Sequence, residues 1–358
     1  MKESMKILIF NPFGIGDVIF STPVIREIHK KYPNATLYYV CNKRTKFLLE
    51  NDPYLADIFI YEKDDLRELF KKHPFGLFKE LISFSNKIRK LKFDVMVDMT
   101  LNHQASLFMM LSGIRKRIGL NYKNRGRFLT SKIKLDGFND KNVALYYLDL
   151  LKFLGIDSQD GKVELFLSKQ MDDWAKQWSE KTFSNERFIA VCPGGGTTWG
   201  KDAASRQWPV EKYSKLIDKI IQKYNASIVV FGNKNEICIA DEILAGIKGN
   251  VINMAGKTTL PEFLALLKMA FFVICNDGGP MHMAVGVKAK VVSIFGPVDE
   301  KVYGPFKLED HMIITSEISC RPCYKNFRLK ECSTYGCIKD IEVDKVFNAV
   351  CGMYEKLG

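Results

Sequence analysis

One stretch in the last third of the chain decides how we interpret the fold, and it reads Val273-Ile274-Cys275-Asn276-Asp277-Gly278-Gly279-Pro280-Met281-His282-Met283-Ala284. A short apolar run stops at a polar, glycine-rich turn and a helical pattern follows, so we predict a strand, a tight turn and a helix. Unpaired N–H groups at a helix start suit phosphate or sugar oxygens. The local pattern fits equally well an ordinary turn, with Asp277 as a helix cap and His282 as a core histidine.

Length and composition limit what the chain can be. At 358 residues it is too long for one ordinary core, so we expect two domains. A hydrophobic content of 47% and a charged content of 26% are typical of a globular protein. We find neither a signal-peptide pattern nor an apolar run of membrane-spanning length, and we therefore expect a cytoplasmic protein.

The formal net charge of +12 predicts an anionic partner, such as a phosphorylated small molecule, an acidic lipid surface or nucleic acid. The sequence has no zinc-finger spacing, no aromatic RNA-binding signature and no basic tail. We therefore expect no nucleic acid among the partners.

The pattern of strand, turn and helix runs through both halves of the chain. Short apolar segments lie at 6–10, 36–40, 58–61, 93–98 and 116–120, and again at 188–192, 227–231, 271–275 and 290–295. The spacing leaves room for crossovers, which is typical of doubly wound parallel sheets. A linker-like stretch at 155–161 places the boundary, so we predict domains at 1–160 and 161–340 and a terminal amphipathic helix at 341–358.

A basic, Phe- and Leu-rich segment lies between two strands of the first half. A helix there would carry Leu77, Leu81, Phe84 and Ile88 on one face, with cations nearby. Most such faces pack on their own sheet, and the alternative is contact with an anionic membrane surface.

The first turn of the chain carries Gly14-Ile15-Gly16-Asp17. It lacks the third glycine of a dinucleotide fingerprint, so we do not predict NAD. The Asp17 carboxylate is either a general base or a helix cap, and its sequence context favours neither.

A second glycine-rich turn reads Pro193-Gly194-Gly195-Gly196-Thr197-Thr198, and Arg206-Gln207-Trp208-Pro209 follows it. The turn lacks the Gly-Lys-Ser/Thr ending of a P-loop, which disfavours a Mg-nucleotide hydrolase. Hydroxyls, backbone N–H groups and nearby cations suit a diphosphate, although a purely structural loop has the same composition.

Four of the nine cysteines, Cys320, Cys323, Cys332 and Cys337, have the spacing C-x2-C-x8-C-x4-C. Thiolates at this spacing could surround a tetrahedral zinc or iron ion with a structural role. The alternative is four reduced thiols without a metal.

Four motifs in a fixed order carry a resemblance to a known family. They are Gly-Ile-Gly-Asp at 14–17 with Thr22-Pro23, the turn at 193–198 with Arg-Gln-Trp-Pro at 206–209, the stretch at 276–284, and Phe295-Gly296-Pro297. Together they resemble the ADP-heptose:lipopolysaccharide heptosyltransferase family, glycosyltransferase family 9. The resemblance implies the α/β GT-B architecture, in which two Rossmann-like doubly wound domains face each other across a cleft.

In this family the N-terminal domain binds the acceptor and the C-terminal domain binds the nucleotide sugar. The resemblance implies an inverting transfer that needs no metal ion or other cofactor for catalysis, and a terminal helix that packs back on the N-terminal domain. Protein-modifying members hold iron with a cysteine cluster, which favours zinc or iron at the four cysteines here.

The resemblance also assigns roles to residues. Asp17 would be the catalytic base, and Thr197, Thr198 and Arg206 would contact the diphosphate, with Lys201 as an alternative cation. Glu236 lies near the position that holds the nucleotide ribose. The remaining donor-binding positions are Asp277, Gly278, Gly279 and His282. Many members have Ser or Thr at position 278, so the glycine removes a hydroxyl group beside the donor sugar.

The function that follows is transfer of heptose to an anionic lipid-linked acceptor in the inner core of lipopolysaccharide. The donor would be ADP-heptose or a related nucleotide sugar. We expect peripheral contact with the inner face of the cytoplasmic membrane. The alternatives are transfer to another glycan or to a protein, and a non-catalytic protein that binds a nucleotide sugar.

Overall fold

The computed structural model describes residues 5–62, 74–184, 187–194 and 203–358, without the side chains of 74–82. The chain forms two compact units, Met1–Gly161 and Lys162–Gly358. The division lies one residue from the boundary that the linker composition predicts.

The N-terminal unit is built on a six-stranded sheet with the order β3-β2-β1-β4-β5-β6. Every neighbouring pair in it is parallel. The strands are β1 Lys6–Phe10, β2 Thr36–Cys41, β3 Leu55–Ile60, β4 Val95–Asp98, β5 Lys116–Tyr122 and β6 Ser131–Leu135. The helices of this unit are α1 Ile15–Phe20, α2 Thr22–Lys31, α3 Pro74–Leu91, α4 His103–Leu111 and α5 Val143–Asp149, with 3-10 turns at Lys43–Leu48 and Leu150–Leu154.

The C-terminal unit repeats this topology with the strand order β12-β11-β10-β7-β8-β9, again parallel throughout. Its strands are β7 Phe188–Cys192, β8 Ser227–Val230, β9 Val251–Asn253, β10 Val273–Asn276, β11 Val291–Phe295 and β12 Met312–Thr315. Its helices are α6 Lys169–Phe183, α7 Val210–Tyr224, α8 Ile237–Leu244, α9 Leu260–Met269, α10 Gly279–Gly286, α11 Glu300–Tyr303, α12 Gly336–Lys339 and α13 Val343–Leu357. Short 3-10 turns lie at Lys234–Glu236 and Leu308–Asp310, and the strands β13 Tyr324–Lys325 and β14 Arg328–Leu329 form a small hairpin.

The central strands show why the sequence folds in this way. Every residue of β7, β10 and β11 is buried, and all are apolar except Ser293 in β11 and Asn276 at the end of β10, so polar and apolar residues do not alternate. Strands that are covered on both faces have this pattern, and the doubly wound α/β class predicted from the sequence is confirmed.

The last helix corrects one prediction. We expected the helix at 341–358 to pack on the N-terminal domain, but Val346, Val350 and Met353 of α13 lie in the core of the C-terminal unit. The Tyr354 ring also stacks on Tyr224 of α7, with 3.8 Å between ring centroids. The apolar face of α13 is thus covered by its own unit, and residues 162–358 form one body.

The apolar face of α3 packs inward where its side chains are described. Ile88 is 1% exposed and Phe84 packs against the same cluster, which contains Leu8, Phe10 and Met96. The sheet-packing alternative therefore holds for these two residues. The side chains of Leu77 and Leu81 lie outside the described residues, and none of the described helices combines the length and apolar composition of a membrane-spanning segment.

Candidate active site

Both sheets reverse their strand order beside their first strand, between β1 and β4 and between β7 and β10. In doubly wound sheets, ligands bind in the crevice at the carboxyl ends of the strands at this point. The loops that begin there start at Asn11 in the N-terminal unit, and at Pro193 and Asp277 in the C-terminal unit. Asp17 follows the first of these loops, and Arg206 and Asp277 lie in the other two.

Asp17 lies in the first turn of α1, where Gly14 occupies the N-cap position. Burial raises the pKa of its carboxyl group from 3.8 to about 6, and the backbone N–H groups of Gly14 and of Asp17 itself oppose that rise. The residue is only partly buried. Asp17 is therefore a carboxyl group that is mostly charged at neutral pH and titrates close to it, as a general base requires.

A buried ion pair joins two of the predicted donor-binding residues. The Arg206 guanidinium donates to Oδ2 of Asp277, and the two side chains are 8% and 1% exposed. Burial raises the pKa of the Asp277 carboxyl, and the charge of Arg206 opposes that rise. Among the described residues, no group donates to the other oxygen, Oδ1, so Asp277 retains an acceptor for a ligand hydroxyl.

His282 lies on α10, one helical turn beyond Gly278, whose carbonyl accepts its backbone N–H at 3.2 Å. The residue is 9% exposed, and burial, together with the charge of Arg206, lowers its pKa to about 3. The imidazole is therefore neutral at physiological pH. The neutral ring can donate or accept a hydrogen bond, but its low pKa makes it unsuited to take up a second proton.

The turn before α10 leaves room for a ligand. Gly279 begins the helix and Pro280 is its second residue, where proline is tolerated because the N–H that it lacks would have no partner within the helix. Among the described residues, a β-carbon placed on Gly278 would meet only Cδ of Pro280, at 3.9 Å. The described residues thus leave space there, although the φ of +158° at Gly278 would strain a serine or threonine in its place.

Glu236 lies in the turn after β8, and its Oε2 accepts the N–H of Asn233 at 2.8 Å. A β-carbon on Gly194 would lie 2.0 Å from Oε1 of Glu236, so the loops after β7 and β8 meet at this point. Only glycine allows the two loops to approach this closely. Burial raises the pKa of Glu236.

Asn276 is a residue whose role the sequence did not reveal. Its Nδ2 donates to the carbonyl oxygens of Pro193 at 2.8 Å and Gly194 at 3.2 Å. Its Oδ1 accepts hydrogen bonds from the backbone N–H of Trp208 at 3.3 Å and from the Tyr213 hydroxyl at 3.0 Å. One buried amide thus joins β10, the glycine-rich loop and the Arg206 segment, and a polar residue at the end of an apolar strand was the available signal.

Asp98, at the end of β4, is a second carboxyl group that the sequence analysis did not single out. Its Oδ1 accepts from the N–H of Thr100 at 2.8 Å and from the Thr100 hydroxyl at 2.6 Å. Burial raises its pKa to about 7. The side chain holds the turn that leads to α4, at the same edge of the sheet as Asp17.

Thr197, Thr198 and Lys201, which the sequence places at the diphosphate, lie outside the described residues. Their roles stay predictions. Arg206, the candidate cation that the structure describes, lies beside Asp277.

The predicted metal ligands differ in their surroundings. Cys320 and Cys332 are exposed, Cys323 is half-buried, Cys337 is buried, and all are free thiols. Burial and the neighbouring cysteines raise the pKa of Cys337 to about 11. In the parts of the chain that the structure describes, no group of three or more His, Cys, Asp or Glu side chains is placed to hold a metal ion. The ligand set predicted from the spacing is not formed here.

The duplicated doubly wound fold, with two Rossmann-like units, is shared with solved structures of heptosyltransferases. The family described as Glycosyltransferase family 9 (heptosyltransferase) matches residues 81–333. The chain belongs to this family, as its motifs predict.

Individual proteins agree with this assignment. Lipopolysaccharide heptosyltransferase 3 of Escherichia coli K12 is 25% identical over 297 residues, which cover 81% of this chain and 82% of that protein. The glycosyl transferase family 9 structure from Veillonella parvula has a TM-score of 0.80 at 17% identity and covers 99% of both chains. The E. coli ADP-heptose lps heptosyltransferase II has a TM-score of 0.75 at 20% identity, covering 98% of this chain and 99% of its own.

Proposed function

We propose that this protein is an inverting, metal-independent glycosyltransferase that moves heptose from ADP-heptose to an acceptor in the inner core of lipopolysaccharide. Membership of the heptosyltransferase family supports the reaction type. The similarity to lipopolysaccharide heptosyltransferases supports the heptosyl group and the lipopolysaccharide acceptor.

The observation that carries the proposal is the place of Asp17, in the first turn of the helix that follows β1, where the sheet reverses its strand order. Its pKa of about 6 leaves it mostly charged at neutral pH, while its basicity exceeds that of an ordinary aspartate. Asp17 takes the proton from the acceptor hydroxyl as the hydroxyl oxygen bonds to the anomeric carbon, and the bond from that carbon to ADP breaks. Attack from the face opposite to ADP inverts the anomeric configuration.

The C-terminal unit binds the donor. The Arg206 guanidinium stabilises the negative charge that develops on departing ADP, and the unbonded Oδ1 of Asp277 accepts a heptose hydroxyl. Glu236 holds the ribose hydroxyls, and neutral His282 supplies a hydrogen bond to sugar or phosphate oxygens. Backbone N–H groups at Gly278 and Gly279, the hydroxyls of Thr197 and Thr198, and Lys201 complete the diphosphate site.

The acceptor is an anionic, lipid-linked glycan. The net charge of +12 supports such a partner, since phosphate and carboxylate groups are attracted to a basic protein. We propose that the enzyme meets its acceptor at the inner face of the cytoplasmic membrane, through peripheral contact with anionic lipid.

The test has a donor arm and an acceptor arm. Calorimetry compares ADP-heptose with other nucleotide sugars, and ADP release is measured with a Kdo–lipid A acceptor truncated before the first heptose. Selective binding of ADP-heptose and acceptor-dependent ADP release support the proposal. Binding without release from any core acceptor would favour a different glycan, a protein acceptor or a non-catalytic binding protein.

A further inference from the structure

Asn42 lies directly after β2, the strand that pairs with β1, and it is 6% exposed. Its Oδ1 caps the 3-10 turn Lys43–Leu48 by accepting the N–H of Thr45 at 3.0 Å. Its Nδ2 donates to the carbonyl oxygens of Phe13 at 2.5 Å and Pro12 at 3.4 Å. The two ends of one amide therefore have separate tasks, and the donor end holds the loop between β1 and α1.

The Phe13 carbonyl belongs to the same planar peptide unit as the N–H of Gly14. That N–H faces the Asp17 carboxylate and opposes the rise of its pKa, and Oδ2 of Asp17 lies 3.7 Å from the position of a β-carbon on Gly14. A line of contacts thus runs from the Asn42 amide through the Phe13–Gly14 peptide to Asp17. Donation at the carbonyl end fixes the orientation of the peptide and strengthens its N–H as a donor.

Other buried groups hold the rest of α1 in place. Nδ2 of Asn11 donates to the Asp17 carbonyl at 3.0 Å. At the far end of the helix, Ser21 Oγ donates to the Val18 carbonyl at 2.6 Å and lies 2.6 Å from the Tyr39 hydroxyl. A helix of 6 residues cannot hold itself in water, so these contacts determine where Asp17 points.

We propose that Asn42 is a positioning residue for the Asp17 base and acts on it through the Phe13–Gly14 peptide. The proposal rests on the proposed catalytic role of Asp17. In this arrangement Asn42 aims the Gly14 N–H at the carboxylate, which orients Asp17 towards the acceptor and limits the rise of its pKa.

The test is Asn42→Ser. Serine is a good N-cap, so its hydroxyl still accepts the Thr45 N–H, but it lacks the amide that holds the loop. We expect kcat to fall by about 10- to 100-fold, with little change in the donor KM or in ADP affinity by calorimetry. Because the carboxylate loses a hydrogen bond to its charged form, the acidic limb of the kcat profile moves to higher pH.

Titration of the other groups around Asp17 would not produce this shift of the acidic limb. Tyr39, which faces Asp17 from β2, has a pKa raised by burial far above the range of the profile. Asp98, at the end of β4, titrates with a pKa of about 7 and does so equally in both proteins. The matched control is Thr45→Val, which removes the hydroxyl that donates to Asn42 Oδ1 and to its carbonyl, and leaves the amide on the loop. It should retain wild-type kcat and pH profile.

Asn42→Asp is the second variant, for the case in which the serine variant has a lowered Tm. It keeps the shape and the cap but places a carboxylate oxygen against the Phe13 carbonyl, and it should lose at least as much kcat. A wild-type kcat and acidic limb in folded Asn42→Ser, with Asp17→Asn inactive, would overturn this proposal alone. An active Asp17→Asn would instead overturn the proposed function.

Discussion

Replacing Asp17 with asparagine should abolish turnover and, at the same time, stabilise the fold at neutral pH. Asparagine keeps the size of the side chain and an oxygen that can accept the Gly14 N–H, but it cannot take a proton. If Asp17 is the base, ADP release should fall by about 100-fold or more, because general-base catalysis contributes about 10²–10⁴-fold. ADP affinity should be unchanged, since Asp17 belongs to the N-terminal unit and the donor residues to the other.

The gain in stability follows from the raised pKa. Burial lifts the pKa of Asp17 from 3.8 to about 6, which corresponds to about 3 kcal/mol if the group were fully removed from water. Its side chain is partly exposed, so solvent screening reduces this to about 1–2 kcal/mol. Because the folded state binds the proton more tightly, the wild-type protein loses this stability as the pH rises from about 4 to about 6.

Urea unfolding at pH 7 and at pH 4 measures the effect. Asp17→Asn should exceed the wild type in the free energy of unfolding by about 1–2 kcal/mol at pH 7, and the difference should shrink towards pH 4. Asp57→Asn, on the exposed edge strand β3, is the matched control and should change neither turnover nor this pH dependence. Full turnover in Asp17→Asn would show that Asp17 is not the base. A loss of stability at pH 7 would show that its pKa is not raised in the folded protein.

Three further predictions concern the C-terminal unit. Gly194→Ala should weaken ADP binding in calorimetry, because its β-carbon would lie 2.0 Å from Glu236 Oε1 and force that side chain to move. Unchanged affinity would show that the two loops adjust freely. Arg206→Gln should lower the free energy of unfolding in urea by about 3 kcal/mol and also weaken ADP binding, since the Asp277 carboxyl stays buried without its cation; a variant as stable as the wild type would contradict this. Elemental analysis of protein purified without chelators tests the metal site predicted at Cys320, Cys323, Cys332 and Cys337. Stoichiometric zinc or iron would support a bound metal ion, and only a trace of either would support four free thiols.

The sequence predicts the fold well because each strand and the turn that ends it are recognisable from a few neighbouring residues. The buried strands are continuous apolar runs, and each stops at a Gly, Pro, Asn or Asp residue where the chain turns. The same local logic places Asp17 and Asp277 at the carboxyl edges of their sheets. What it leaves out is the partner of Asp277, because Arg206 lies 71 residues away along the chain.

The residues that hold the site together were not predictable in the same way. Asn276 joins Pro193 across 83 residues, and Asn42 joins Phe13 across 29 residues. An asparagine at a strand end has the same local pattern whether it caps a turn or holds a distant loop. The amphipathic pattern of α13 likewise shows that one face is buried, but does not show which unit buries it.

The proposed reaction transfers one heptose with inversion. The measurement is mass spectrometry of the truncated Kdo–lipid A acceptor after incubation with ADP-heptose, followed by NMR of the anomeric proton in the product. We expect an acceptor heavier by one heptose residue, with an anomeric configuration opposite to that of the donor, and no such product with Asp17→Asn. An unmodified acceptor, or a product that retains the donor configuration, would contradict it.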